Sequence, residues 1–267
     1  MADQSLDLLG IATEAARAAA AIIRDAAPRV RDITWQEKSA TDFVSEVDLA
    51  AEHCIFETVR RGAPHAAILA EETSSSLPAG RQSTGVVFVV DPLDGTTNFL
   101  HGYPAYAVSV GVLVDGSLEA AVVLDVPRDE CFTATADSGA RLDGVPIRVS
   151  KTTHPQRALI GTGFPFKIAA DIAPYQEQMS RVMAGVSGVR RPGAASIDLA
   201  SVACGRFDAF WETMLSPWDL AAGILLVREA GGVATDLDGA PAPVSHTGIV
   251  AGNPAMHAWL LRTLTGR

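Results

Sequence analysis

The chain has 267 residues, 48% of them hydrophobic, and a formal net charge of −10. That length allows one large domain or two small ones sharing a core, and without low-complexity blocks or runs of like charge the chain does not read as disordered. The acidic balance excludes a general attraction to nucleic acid or anionic membranes, so direct nucleic-acid binding is not expected, and an anionic substrate would need local cations.

The opening MADQSLDLLG lacks a basic segment followed by an apolar one, so no secretory signal is expected. The apolar stretch Ala15–Ile23 is interrupted by Arg17 and is too short to span a bilayer. Cys54, Cys131 and Cys204 are far apart and form no CxxC pair, which fits free thiols in a reducing cytoplasm and gives no zinc signature.

In chain order, Leu8, Leu9, Ala12, Ala15, Ala16, Ala19 and Ile23 recur at helical spacing and predict an amphipathic helix over Ser5–Ala27, ended by Pro28. A second helix is predicted from Glu46 to Arg61, with Gly62 and Pro64 as stop signals. Ala66–Ala70 and Val86–Val90 read as short buried strands. Tyr106–Val114 and Leu118–Val126 flank Asp115-Gly116, a hairpin signal, and Glu130–Thr135 extends that sheet. The stretch 1–145 therefore predicts helices on a mostly antiparallel sheet.

The stretch 146–267 alternates strands and helices. Strands are predicted at Ala158–Gly161, Val189–Arg191, Ala209–Glu212 and Ile249–Ala251. Helices are predicted at Tyr175–Met183, at Ser196–Cys204 with Ser196 as its cap, from Pro217 to Ala230, and at Pro254–Leu264. The two stretches are expected to form one functional unit.

The segment Val87–Asn98 carries the chemistry. A buried strand delivers Asp91 at its end, and Pro92 is expected to stop that strand. Asp94 follows in the same turn, Gly95 permits a tight path, and Thr96-Thr97 begin a new element. Two carboxylates in one turn repel unless a proton or cation lies between them, and hard oxygen donors select Mg²⁺. The Leu93 carbonyl lies between them, and a helix starting at Gly95 would turn its first N–H groups toward an anion. Glu71 and Glu72 follow a strand and point to opposite faces, so one of the pair is expected to reach this centre. Asp219 opens a helix beside Trp218 and an apolar run, where a buried charge needs a partner and a metal supplies one. Arg190 and Arg191 precede Gly193 and could form a cationic rim; His101 is expected to be a solvated loop residue.

Taken together, these pieces resemble the inositol monophosphatase family. The matching residues are Lys38, Asp42-Phe43-Val44-Ser45 and Asp48; Ala70-Glu71-Glu72; Asp91-Pro92-Leu93-Asp94-Gly95-Thr96-Thr97-Asn98-Phe99; Gly161-Thr162-Gly163-Phe164-Pro165; Gly193-Ala194-Ala195; and Pro217-Trp218-Asp219-Leu220-Ala221-Ala222-Gly223. They run in family order over nearly the whole chain. The resemblance implies a layered α-β-α-β-α sandwich of the inositol monophosphatase and fructose bisphosphatase superfamily, an α+β to α/β architecture, usually a homodimer. It implies two or three Mg²⁺ per active site, held by Glu71, Asp91, the Leu93 carbonyl, Asp94 and Asp219. It implies that Thr96, backed by Asp48, orients the attacking water, that Gly95 and Thr96 bind phosphate oxygens, and that Glu212 and the Gly193–Ala195 backbone contact a polyol. Lithium inhibition is implied as well.

The expected activity is hydrolysis of a phosphate monoester on a small polyol, with inositol monophosphate first. Histidinol phosphate, fructose 1,6-bisphosphate and a 3′-phosphonucleotide are the alternatives on the same fold, and Thr97-Asn98-Phe99 favours the inositol type. A binding protein that lost hydrolysis should lack ligands or Thr96, and all are present.

Overall fold

The computed structural model describes residues 2–39, 42–73, 84–165 and 169–266. Helix α1 (Ala2–Ala26) buries Leu8, Ala12, Ala15, Ala16, Ala19, Ala20 and Ile23, a face made mostly of alanine. Small side chains let it pack closely on α2 (Glu46–Gly62), which adds Val47, Ala51, Ile55 and Val59 to the same core. Before α2 runs a two-stranded hairpin, β1 (Trp35–Ser39) and β2 (Asp42–Ser45), which the sequence reading had not assigned. The side chain of Lys38 lies outside the described residues.

The α1–α2 pair covers one face of a seven-stranded sheet in spatial order β3 to β9. Its strands are β3 (Ala67–Ala70), β4 (Val86–Asp94), β5 (Ala107–Val114), β6 (Ser117–Asp125), β7 (Glu130–Thr135), β8 (Ala140–Leu142) and β9 (Val145–Pro146). Only β3 and β4 pair in parallel; the remaining neighbours are antiparallel. The expectation that Pro92 ends the strand is corrected: β4 runs on to Asp94, with an irregularity against β5 between Asp91 and Asp94. A bulge tolerates proline because its residue has no ladder bond to lose.

The other face of that sheet packs on α5 (Ala195–Ala203) and α6 (Pro217–Glu229), both buried almost throughout. These helices are hydrophobic all round, as a middle layer requires. Beyond them lies a five-stranded mixed sheet ordered β11-β10-β12-β14-β13. It comprises β10 (Leu159–Thr162), β11 (Gly188–Arg190), β12 (Ala209–Leu215), β13 (Val233–Thr235) and β14 (Thr247–Gly252). Helices α4 (Ile172–Met183) and α7 (Pro254–Thr265) close its outer face through Tyr175, Val182, Met256 and Leu260. The order of layers is α-β-α-β-α. Helix α3 (Thr96–Leu100) is one short turn set at the end of β4. Among the described residues no helix is long and apolar enough to cross a membrane.

Candidate active site

The buried run Val87–Val90 brings Asp91 to the mouth of the sheet with 1% of its surface exposed. The bulge turns Asp94 to the same side, and Gly95 then reverses the chain at φ +93 as the cap of α3. A Cβ at Gly95 would also stand 2.8 Å from the Ala105 carbonyl oxygen, so conformation and space both require glycine there.

Backbone donors anchor one oxygen of each aspartate. The Leu93 N–H donates to Asp91 Oδ1 at 3.1 Å. Asp94 Oδ2 accepts from the Ser196 N–H at 2.8 Å and from its hydroxyl at 2.5 Å. Asp219 Oδ2 accepts from the Ser216 N–H at 2.7 Å, in the capping box that opens α6. Glu71 follows β3, and its N–H donates to the Val90 carbonyl at 3.3 Å, beside β4. The Glu72 N–H donates to Glu52 Oε2 at 2.9 Å. Of the pair, Glu71 lines the cleft and Glu72 does not.

Thr96 stands beside these acids. Its Oγ1 lies 2.8 Å from Asp48 Oδ1 and 3.1 Å from the Leu93 carbonyl. Asp48 is fully buried on α2 and is held by the N–H and hydroxyl of Ser45 in a capping box. One hydroxyl proton serves one acceptor at a time, so the Asp48 bond fixes how the Thr96 oxygen presents its lone pairs.

Charge accumulates here. Burial pushes the Asp91 carboxyl well above the ordinary range, and Glu71, Asp94 and Asp219 push further, against the Leu93 N–H. Burial also lifts Asp94, to about 6, against the bonds from Ser196. The donor set is carboxylate and carbonyl oxygen throughout, the chemistry that suits Mg²⁺. Among the described residues no three acidic, histidine or cysteine side chains converge at metal-ligand distance.

These groups line a cleft of about 800 Å³. Glu71, Asp91, Asp94, Glu212 and Asp219 face it, and among the described residues Arg191 is the one arginine or lysine that lines it. Leu93, Gly95, Thr96, Gly193 and Ala195 line it too. Ala194 is buried behind, its methyl beside Gly95. Arg190, expected at the substrate rim, is not among the residues lining the cleft and folds back on the Val189 carbonyl, whereas Arg191, also exposed, lies over the Phe164 ring at 5.3 Å and lines it. Adjacent residues at a strand end point to opposite sides.

Three further residues had no place at the site in the sequence reading. Ser196 does not cap α5; it sits inside the helix and binds Asp94. Phe164 belongs to the Gly161–Pro165 match but was given no role, and His246 reaches the cleft from a loop that shows no local signal. His101 is exposed and does not line the cleft.

Asp198, one turn along α5 from Ala195, is 1% exposed, and its Oδ1 has no hydrogen-bond partner among the described residues. Burial, then the fields of Glu212 and Asp94, push its carboxyl well up, with Arg191 opposing. Because the folded value lies above the unfolded one, the native state holds the extra proton, and stability falls as pH rises through that window. Asp198→Asn removes the titration. In metal-free urea unfolding from acid to neutral pH, the variant should gain on the parent as pH rises, reaching about 1–3 kcal/mol, the cost of an unsatisfied buried polar group. A difference that stays flat with pH contradicts this.

Comparison with known proteins places the chain. The model of the inositol monophosphatase family matches residues 5–266. A Pseudomonas aeruginosa protein named Nus factor SuhB is 45% identical over 259 residues, covering 96% of this chain and 95% of that one. The crystal structure of extragenic suppressor protein suhB from Bartonella henselae superposes with a TM-score of 0.91 at 38% identity, covering 96% of this chain and 98% of that one. Inositol monophosphatase from Anabaena gives a TM-score of 0.84 at 37% identity, covering 97% and 95%. With a family model spanning nearly every residue and relatives aligned end to end, this chain belongs to the inositol monophosphatase family.

Proposed function

We propose that the protein is a Mg²⁺-dependent phosphatase that hydrolyses a phosphate monoester on a small polyol, with inositol monophosphate as the leading substrate. The observation that carries this reading is that Glu71, Asp91, Asp94 and Asp219 line one cleft with a threonine hydroxyl held by a buried aspartate. Among the described residues five carboxylates face this cleft beside Arg191, and so many negative charges repel a phosphate ester unless cations neutralise them.

Glu71, Asp91, the Leu93 carbonyl, Asp94 and Asp219 would hold two or three Mg²⁺. When bound, Mg²⁺ makes water more acidic and offsets charge on the phosphoryl oxygens and leaving oxygen. The chain does the rest. Thr96, fixed by Asp48, orients the attacking water in line with the leaving group. Gly95 and Thr96 at the start of α3 turn first-turn N–H groups, which lack intrahelical partners, toward the phosphate. Ser196 keeps Asp94 aimed into the site. Glu212 and the Gly193–Ala195 backbone receive hydroxyls of the leaving polyol.

The test is a phosphate-release panel over inositol 1-phosphate, histidinol phosphate, fructose 1,6-bisphosphate, glycerol 2-phosphate and a 3′-phosphonucleotide, with Mg²⁺ and with added Li⁺. Inositol 1-phosphate should lead, release should need Mg²⁺, and Li⁺ should inhibit. Release without divalent cation, or from none of the esters, refutes the proposal. Glu212→Ala should alter the ranking of substrates more than it alters the Mg²⁺ concentration needed for half-maximal rate. An equal loss across the panel contradicts the role given to Glu212.

A further inference from the structure

We propose that Gly163 sets leaving-group preference in this cleft, because the volume its side chain would fill is the seat of the Glu212 carboxylate. A Cβ at Gly163 would lie 1.9 Å from Glu212 Cδ, 2.0 Å from Oε1 and 2.1 Å from Oε2. No real Cβ sits so close to another heavy atom, so the carboxylate and a methyl cannot share the space. Gly163 is not among the residues with positive φ. Backbone conformation therefore does not demand glycine here, and the approach of Glu212 does.

Neighbouring packing closes other ways out. Strands β10 and β12 run in parallel with Thr162 opposite Trp211, which sets Gly163 beside Glu212 just past the last paired residues. The backbone at Thr162 is pinned, since its Oγ1 lies 2.8 Å from the Tyr175 hydroxyl and Tyr175 stacks on the buried Trp211 ring. Trp211 has no exposed surface, so the strand cannot slide inward to make room. A side chain added at Gly163 thus drives the carboxylate off its seat and into the cleft.

The chemical consequence is selective. A carboxylate held on a fixed backbone seat offers only acceptors, so it rewards a leaving group rich in hydroxyl donors and repels one that carries a second phosphate. The hydrolytic half of the site, Asp91, Asp94 and Thr96, belongs to β4 and α3, whereas the three atoms nearest a Cβ at Gly163 all belong to Glu212. Loss of the seat should therefore weaken polyol esters more than esters whose leaving group has no hydroxyl. This assignment rests on the phosphatase reading above.

The experiment compares the parent, Gly163→Ala, Glu212→Ala and the double variant on inositol 1-phosphate and on p-nitrophenyl phosphate, with thermal melting of all four. In Gly163→Ala the ratio of kcat/KM for the inositol ester to that for the aryl ester should fall about 10- to 100-fold, the worth of one or two hydroxyl bonds to a charged acceptor. The double variant should show the same ratio as Glu212→Ala alone, since the two residues act as one unit. It should also melt higher than Gly163→Ala, because removing the glutamate opens the space. An unchanged ratio in Gly163→Ala, an equal loss on both esters, or effects that add in full in the double variant overturns the proposal. Parent protein that hydrolyses neither ester refutes the phosphatase reading instead; the melting series then still decides whether Gly163 is the seat of Glu212.

Discussion

Asp91→Asn should lose Mg²⁺-dependent phosphate release by about a thousandfold or more, since one lost donor at a preorganised charged site already costs about 10²–10³ in rate. Asp91 is placed to do more than one donor. It is the most enclosed of the acids, and Glu71, Asp94 and Asp219 all act on its carboxyl. Asparagine keeps the shape, and its side-chain oxygen still accepts the Leu93 N–H, but it removes the shared negative charge.

The same variant separates chemistry from folding. In metal-free buffer the substitution takes one charge from a buried set of like charges, so melting should not fall. Added Mg²⁺ should stabilise the parent, by about 2.7 kcal/mol at a hundredfold excess over its dissociation constant, and that shift should vanish in Asp91→Asn. Phosphate release and melting with and without Mg²⁺ check both parts. Turnover at the parent rate, or a full Mg²⁺ shift in the variant, refutes the metal assignment.

Much of this site is local in sequence and therefore legible there. Asp91, Leu93, Asp94, Gly95 and Thr96 occupy one turn, and the apolar run before them gives away the strand that carries them. The helices α1, α2, α4, α6 and α7 and the strands β3 to β7 of the larger sheet follow from periodicity and stop signals, within a few residues of their observed bounds, whereas the short β8 and β9 were not assigned. What periodicity could not give is register across the fold. Ser196 looks like a cap because serine at a helix start usually is one; only the packing of α5 against β4 reveals Asp94 as its partner. Alternation separates Arg190 from Arg191 but does not say which faces the cleft. The β1–β2 hairpin was missed because Trp35-Gln36-Glu37 is largely exposed and carries no apolar alternation. Pro92 misled in the opposite sense: its rule holds for a regular ladder, and β4 breaks the ladder there. The order of layers was implied by resemblance alone, since no residue pattern announces that α5 and α6 lie between two sheets.

Thr96 allows the sharpest test of how the chain handles water. Thr96→Val keeps the branched shape at the start of α3 and deletes only the hydroxyl that contacts Asp48. Asp48 retains its bonds from Ser45, so the fold should hold while the orienting group is gone. Loss of a positioned proton-transfer partner costs about 10²–10⁴ in rate, and that loss should appear in kcat with KM changed little. Thr96→Ser restores a hydroxyl at the same atom and should recover most of the rate, less the freedom that a serine rotamer regains when the methyl is removed. A structural role for Thr96 predicts another pattern: both variants would fail together, and melting would fall with activity. If serine and valine prove equally poor, or if the defect lies in KM alone, water is oriented by some other group and the Asp48–Thr96 pair only braces the turn.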